Sequence, residues 1–420
     1  MKKHLILTIV LSLLTIPVLV SAQQAQFQDV VRMLRHPDPE ERLRSVRLLR
    51  DAAYPEAAEP VAALIVDPDD GVQLAAIEAE LSFFMVDDGT RRRFGFMTSR
   101  PKSLALAAFE AGPAAVKPVP VPAAAIDNLL LALDDANDRV RFEAIHAVGA
   151  LARAPLTVPQ IRRLTAALDH YDAIVRAAAA RVIARLRVTE SEDALIVAIG
   201  DSNQAVRQFA MYALGEIGSL KAIPALKHQI ENYRSNTQAT WALLALAKIG
   251  DPSTADLFRQ YLAAKDPGFR AASAEGLART GAADFIPQLE QRLQNERGPA
   301  VRLAYFFALQ KLGRNHLEHI VAALEDDDAA PQASEYLIEL GSSIAKELTP
   351  YLASREDNIR GRVAEILGIV GDADVLPALE SARLDRNVAV GRAVAAAIER
   401  IKSRQQAPGA RLQAPGDTRS

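Results

Sequence analysis

The chain is expected to fold as an all-α, right-handed solenoid of about eleven stacked helical hairpins. Three observations carry that expectation. Half of the residues are hydrophobic yet only 5% are aromatic, and alanine and leucine supply most of the apolar content, a mix suited to close helix packing rather than to a pleated sheet. No stretch alternates apolar and polar residues over a strand's length. Segments of similar pattern end on Gly218, Gly250, Gly281, Gly313, Gly341 and Gly371, every 28 to 32 residues, and a period of this size marks a repeat array.

The glycines are the helix stops, because a residue just past a helix end adopts the left-handed conformation most readily without a Cβ. The starts form a second column. Asp69, Asn137, Asp172, Asn203, Ser235, Asp266, Gly298, Asp326 and Asn387 each stand three residues before the Val-Arg position of their copy. Each is a favoured N-cap type, and only the copy with Glu356 departs. Between a stop and the next cap lies a shorter apolar segment, with Pro224, Pro287 or Pro377 where the first turn of a helix tolerates a missing N–H. Each unit is therefore a short helix, an Asp/Asn turn and a longer helix. Neither helix buries its apolar face alone, so units must stack.

"NQAVRQFAMYALGEIG", "DPGFRAASAEGLARTG" and "EDNIRGRVAEILGIVG" share the pattern D-x-x-V-R-x-x-A-x-x-A-L-G-x-I-G. The pattern resembles HEAT repeats of the short, phycobilisome-lyase-like type, from about Phe27 to about Lys402. The resemblance is specific for fold and unspecific for function, since the superfamily includes chromophore lyases, a hydroxylase and plain scaffolds. It also implies a structural role for the column Arg141, Arg176, Arg207, Arg270, Arg302 and Arg360, bonded to turn carboxylates of neighbouring units.

The ends do not follow the repeat. Lys2 and Lys3, the apolar run Leu5 to Val20 and the small residues Val20-Ser21-Ala22 read as a signal peptide over residues 1–22, cleaved after Ala22. Cleavage takes the formal charge from −3 to −5. No later stretch is long and apolar enough to cross a bilayer, so the mature chain is expected in the periplasm or secreted. The solenoid spans residues 23–402, and residues 403–420 read as a disordered tail. An irregular insertion at about 87–122 carries Arg91, Arg92, Arg93, Arg100 and Lys102 with Phe94 and Phe96. It reads either as a contact element projecting from one face or as a decayed repeat built around "SLALAAFEA".

Composition narrows the chemistry. With no cysteine, thiolate metal sites, cysteine nucleophiles and disulfides are excluded. A pI near 6.2 gives no pull toward nucleic acid. Glu143 with His146, and His316 with His319, share helical faces, but the first pair is only half of a carboxylate di-iron set. No phosphate loop or nucleophile turn is present. No cofactor or metal is expected. The aromatic residues concentrate at Phe209, Tyr212, Trp241, Tyr305, Phe306 and Phe307, and Tyr212, Phe307 and Trp241 are the candidate anchors for a protein or peptide partner, with Arg91, Arg92, Arg93, Phe94 and Phe96 as a second contact. The leading expectation is an exported, non-enzymatic scaffold. The alternatives are a metal-dependent enzyme or lyase-like factor on the same solenoid, or a binder of envelope polyanions or lipid surfaces through the basic insertion.

Overall fold

The computed structural model describes residues 26–85, 103–112, 115–117, 119–232 and 237–406. Among these, no strand forms, and one isolated bridge joins Met85 to Val116. The helices divide into two compact units, one ending at Ala194 and the other beginning at Leu195. Eleven longer helices of 11 to 19 residues alternate with shorter ones. The first unit holds α1 (Pro39–Asp51), α2 (Asp70–Phe84), the eight-residue α3 (Leu104–Ala111), α4 (Asp138–Leu151) and α5 (Ala173–Leu186). The second holds α6 (Gln204–Ile217), α7 (Thr237–Ile249), α8 (Pro267–Arg279), α9 (Pro299–Lys311), α10 (Ala330–Leu340), α11 (Asp357–Val370) and α12 (Val388–Gln406). In each unit successive long helices pack side by side over a second layer of short ones. The chain is an α-solenoid.

The caps form as their residue types dictate. Asp69, Asn137, Asp172, Asn203 and Asp266 accept hydrogen bonds from the first turn of α2, α4, α5, α6 and α8. Asp326 departs. It accepts from the amides of Asp328 and Ala329, so it caps the preceding turn, and α10 starts later, at Ala330. Ser235 lies outside the described residues. Gly218, Gly250, Gly281, Gly313 and Gly341 have φ between 63° and 91°, whereas Gly371 has φ −77° and β conformation. Arg187, with φ 52°, makes the same left-handed stop after α5 without glycine.

The arginine column ties turns together. Nη1 of Arg141 donates to the carbonyls of Asp135 and Ala136, while the other side of its guanidinium reaches Asp172 of the next turn at 2.8 Å. Arg270 repeats this with Ala264, Lys265 and Glu296, and Arg360 with Ser354, Arg355 and Asp385. Arg42, one position outside the predicted column, does the same with His36, Pro37 and Asp67. Arg207 donates to the carbonyls of Asp201 and Ser202 and, across to α7, to the side-chain oxygen Oε1 of Gln238. The rigid fork of guanidinium explains why arginine is used: one edge satisfies two loop carbonyls and the other a carboxylate.

The irregular stretch of the first unit is partly ordinary helix. The segment SLALAAFEA, around which a decayed repeat could be built, forms α3 with Ser103 as its N-cap. α3 packs against α2 and α4, and its Phe109 is buried so close to Gly149 of α4 that a Cβ there would meet the ring at 2.4 Å.

Candidate functional site

In the second unit, the positions six and two residues before each closing glycine fall on one face of the long helices. The first set is Tyr212, Leu244, Glu275, Phe307 and Glu335; the second is Glu216, Lys248, Arg279, Lys311 and Glu339. A regular stack would carry these as parallel rows. The repeat between Gly313 and Gly341 is the shortest of the series, at 28 residues, and side chains of its helix α10 reach α7, α8 and α9. Tyr336 of α10 stacks on Phe307 of α9 at 4.2 Å, Glu339 meets Arg279 of α8 at 2.7 Å, and Glu335 reaches Lys248 of α7.

A cleft of about 230 Å³ lies between α7 and α10. Tyr212, Trp241 and Leu244 form one wall, Gln332, Glu335 and Tyr336 the other, and Arg279 and Glu275 the floor. The rings of Tyr212 and Trp241 meet edge to face, 6.5 Å apart and at 88°. The ring of Phe209 also meets Trp241 edge to face, at 6.4 Å.

The floor is a closed ion network. Arg279 donates through Nε and Nη2 to Glu339 and through Nη1 to Glu275 at 2.7 Å. Tyr336 Oη donates to Glu275 at 2.5 Å and accepts from Gln332 at 2.7 Å. Lys311 lies 3.2 Å from Glu339 and Lys248 3.0 Å from Glu216. Burial by itself would push the Glu339 carboxyl up, but Arg279, Lys311 and Lys248 outweigh it and hold the group at about 2. Burial, and then the charge of Glu275, push the Tyr336 hydroxyl well above its ordinary value, so it stays a donor. The network positions the aromatic walls without leaving an unpaired charge beneath them.

Residues 161–243 and 239–310 match the sequence model of HEAT repeats. Residues 161–310 are HEAT repeats. Its sequence matches no curated protein. Among solved structures it is similar to the CpcE–CpcF complex of phycocyanin lyase from Nostoc sp. PCC7120, at 22% identity over 59% of this chain and 96% of that one, with a TM-score of 0.40. It is similar to YibA of Escherichia coli at 17% identity over 69% of this chain and 92% of that one, TM-score 0.41. For the karyopherin Kap121p the values are 13% identity, 90% and 45% coverage, and a TM-score of 0.39.

The structure sorts the residues singled out in the sequence. It brings Tyr212 and Trp241 together at the cleft, Tyr212 being 38% exposed. Phe307 must be corrected as a surface anchor. It shares Tyr212's place in the repeat but is 0% exposed, because α10 covers it with Tyr336 while Arg279 lies 5.1 Å from its ring. Arg91, Arg92, Arg93, Phe94 and Phe96 lie outside the described residues. Glu143 accepts from the hydroxyl of Ser103 and the amide of Ala105 at the start of α3. His146 is buried, its Nδ1 2.7 Å from the Phe142 carbonyl, and burial lowers its pKa. His316 and His319 lie against the Phe306 ring, 5.5 and 4.3 Å between centroids. Among the described residues no three His, Asp or Glu side chains gather as a metal site.

Sequence reading missed Gln332, Glu335 and Tyr336, and the ion network under them. A signal existed: five consecutive copies place a charged residue two positions before the closing glycine. Which partners those charges choose depends on α10 reaching Lys248, Arg279 and Lys311, and no periodicity shows that.

Proposed function

We propose that this protein is an exported, non-enzymatic HEAT-repeat scaffold that binds a protein or peptide partner in the cleft between α7 and α10. The cleft's construction is the observation that carries the reading. Tyr212 and Trp241 present aromatic surface at an open edge in a chain with one tryptophan and eight tyrosines. Beneath them Arg279, Glu275 and Tyr336 are locked by hydrogen bonds before any ligand arrives. Aromatic anchors on a rigid support are what a protein interface uses, and a preorganised wall loses little side-chain entropy on binding. The charged groups are spent on one another, which suits support rather than proton transfer. Export rests on the leader-like residues 1–22.

The test is capture from an envelope fraction by the mature chain, compared with Trp241→Ala and with Tyr212→Ala, each checked for helicity by circular dichroism. Truncating an interface tryptophan costs about 2 kcal/mol or more, so a partner held by the wild type should be lost by Trp241→Ala. A partner retained equally by both folded variants would remove the cleft from the account.

A further inference from the structure

The helix face that carries the cleft in the second unit is occupied in the first by a piece of the chain itself. Tyr212 stands nine residues after its cap Asn203, and His146 and Arg181 stand nine after Asn137 and Asp172. By the same register Arg185 matches Glu216, and Glu143 matches Phe209. α3 lies on these side chains of α4 and α5. It stands outside the row of long helices, since α2 packs directly on α4.

The contacts are those of a recognised helix. At its start Glu143 accepts from the Ser103 hydroxyl at 2.9 Å and from the Ala105 amide. In its last turn Arg185 donates to the Phe109 carbonyl. A carboxylate at the N-terminus and a guanidinium at the C-terminus complement the helix dipole and favour one direction. Between them the Phe109 ring lies 3.6 Å from the Arg185 guanidinium and 4.7 Å from that of Arg181. His146 meets it edge-on at 5.7 Å, and Gly149 leaves it room where a Cβ would collide. Arg181 also pairs with Glu110, the next residue. α3 brings little stability of its own. Eight residues are too few to stay helical alone, and only Ala105, Ala108 and Phe109 are buried.

We propose that the α4–α5 face is a receptor for a short helix and that α3 is its ligand in cis. A partner's helix with an aromatic residue followed by an acidic one in its last turn takes the place of α3. Its ring lies between Arg185 and Gly149, and its carboxylate pairs with Arg181. Recognition by the first unit is thus self-inhibited, whereas the cleft of the second unit is open.

The probe is the acetylated, fluorescein-labelled peptide SLALAAFEAG, residues 103–112, titrated with the full chain and read by anisotropy. A tethered competitor acts at a high effective concentration, so Phe109→Ala, which removes the ring in cis, should bind the peptide at least about tenfold tighter than the wild type. Glu110→Arg, where the side chain is 55% exposed, should retain the fold and shift binding in the same direction by setting a like charge against Arg181. Adding Arg185→Ala to either variant should erase the gain, as should alanine in place of the peptide's phenylalanine. Adding Trp241→Ala should leave the gain intact, which separates this face from the cleft. Equal binding, or none, by the wild type and both folded variants would overturn the proposal. So would a gain that survives the loss of Arg185 or of the peptide's phenylalanine, or one that disappears with Trp241.

Discussion

Replacing Glu339 by glutamine removes one charge from the ion network that supports the cleft, at nearly constant volume. In the folded protein the carboxyl is held at about 2, against an ordinary value of 4.5. Burial opposes ionisation there, and Arg279, with Lys311 and Lys248, more than compensates. A drop of that size corresponds to roughly 3 kcal/mol of stability at neutral pH. The sign follows from proton binding: a depressed acid stabilises the fold fully above 4.5, and the contribution is lost as pH falls toward 2. Urea unfolding followed by Trp241 fluorescence measures the difference, because that side chain lines the same cleft. At pH 7 Glu339→Gln should be less stable by about 3 kcal/mol, and by pH 3 the gap should shrink to less than about half. A gap that does not change with pH, or no gap at pH 7, would refute the assignment of Glu339 as the network's anchoring anion.

Arg360→Ala should cost about 3–5 kcal/mol, since it strands the Asp385 carboxylate and the carbonyls of Ser354 and Arg355 in a nearly closed site where the arginine side chain is 4% exposed; chemical denaturation reads this, and a loss under 1 kcal/mol would show the tie to be ornamental. Glu80, buried in α2 with neither carboxyl oxygen hydrogen-bonded, has its pKa pushed well up by burial and then by the charge of Glu59. The folded state therefore keeps a proton that the unfolded chain releases, and stability declines as pH rises above 4.5. Glu80→Leu should raise stability by about 1–3 kcal/mol at pH 7 and flatten the pH profile in thermal melts. Phe307→Ala should cost about 3–5 kcal/mol and Tyr212→Ala under about 1 kcal/mol, so equal losses in parallel melts would contradict their different burial.

Helix starts, helix stops and the arginine ties were legible because each is a local rule repeated once per unit. Asn203 caps because its carboxamide reaches the next amides, and Gly218 stops because it has no Cβ. The candidate site was legible only in part. Tyr212 and Trp241 could be chosen from composition and position, but Tyr212 and Phe307 look identical in the repeat. Their fates differ because Tyr336 of α10 stacks on Phe307, a tertiary contact signalled only by a 28-residue spacing and a late helix start at Ala330. The packing of α3 was obscured for a similar reason. Without a Val-Arg signature, α3 gives no sign that Phe109 will fill the space left by Gly149.

The measurement that tests the central claim most directly is site-specific photocrosslinking in the cell envelope. A benzophenone amino acid is placed at position 212 in the cleft, and in a second strain at position 384, where Leu384 is 95% exposed on the last turn. The account predicts one discrete adduct from position 212, absent from position 384 and lost on adding Trp241→Ala. An adduct from position 384 alone, or the same adduct from both positions, would contradict it.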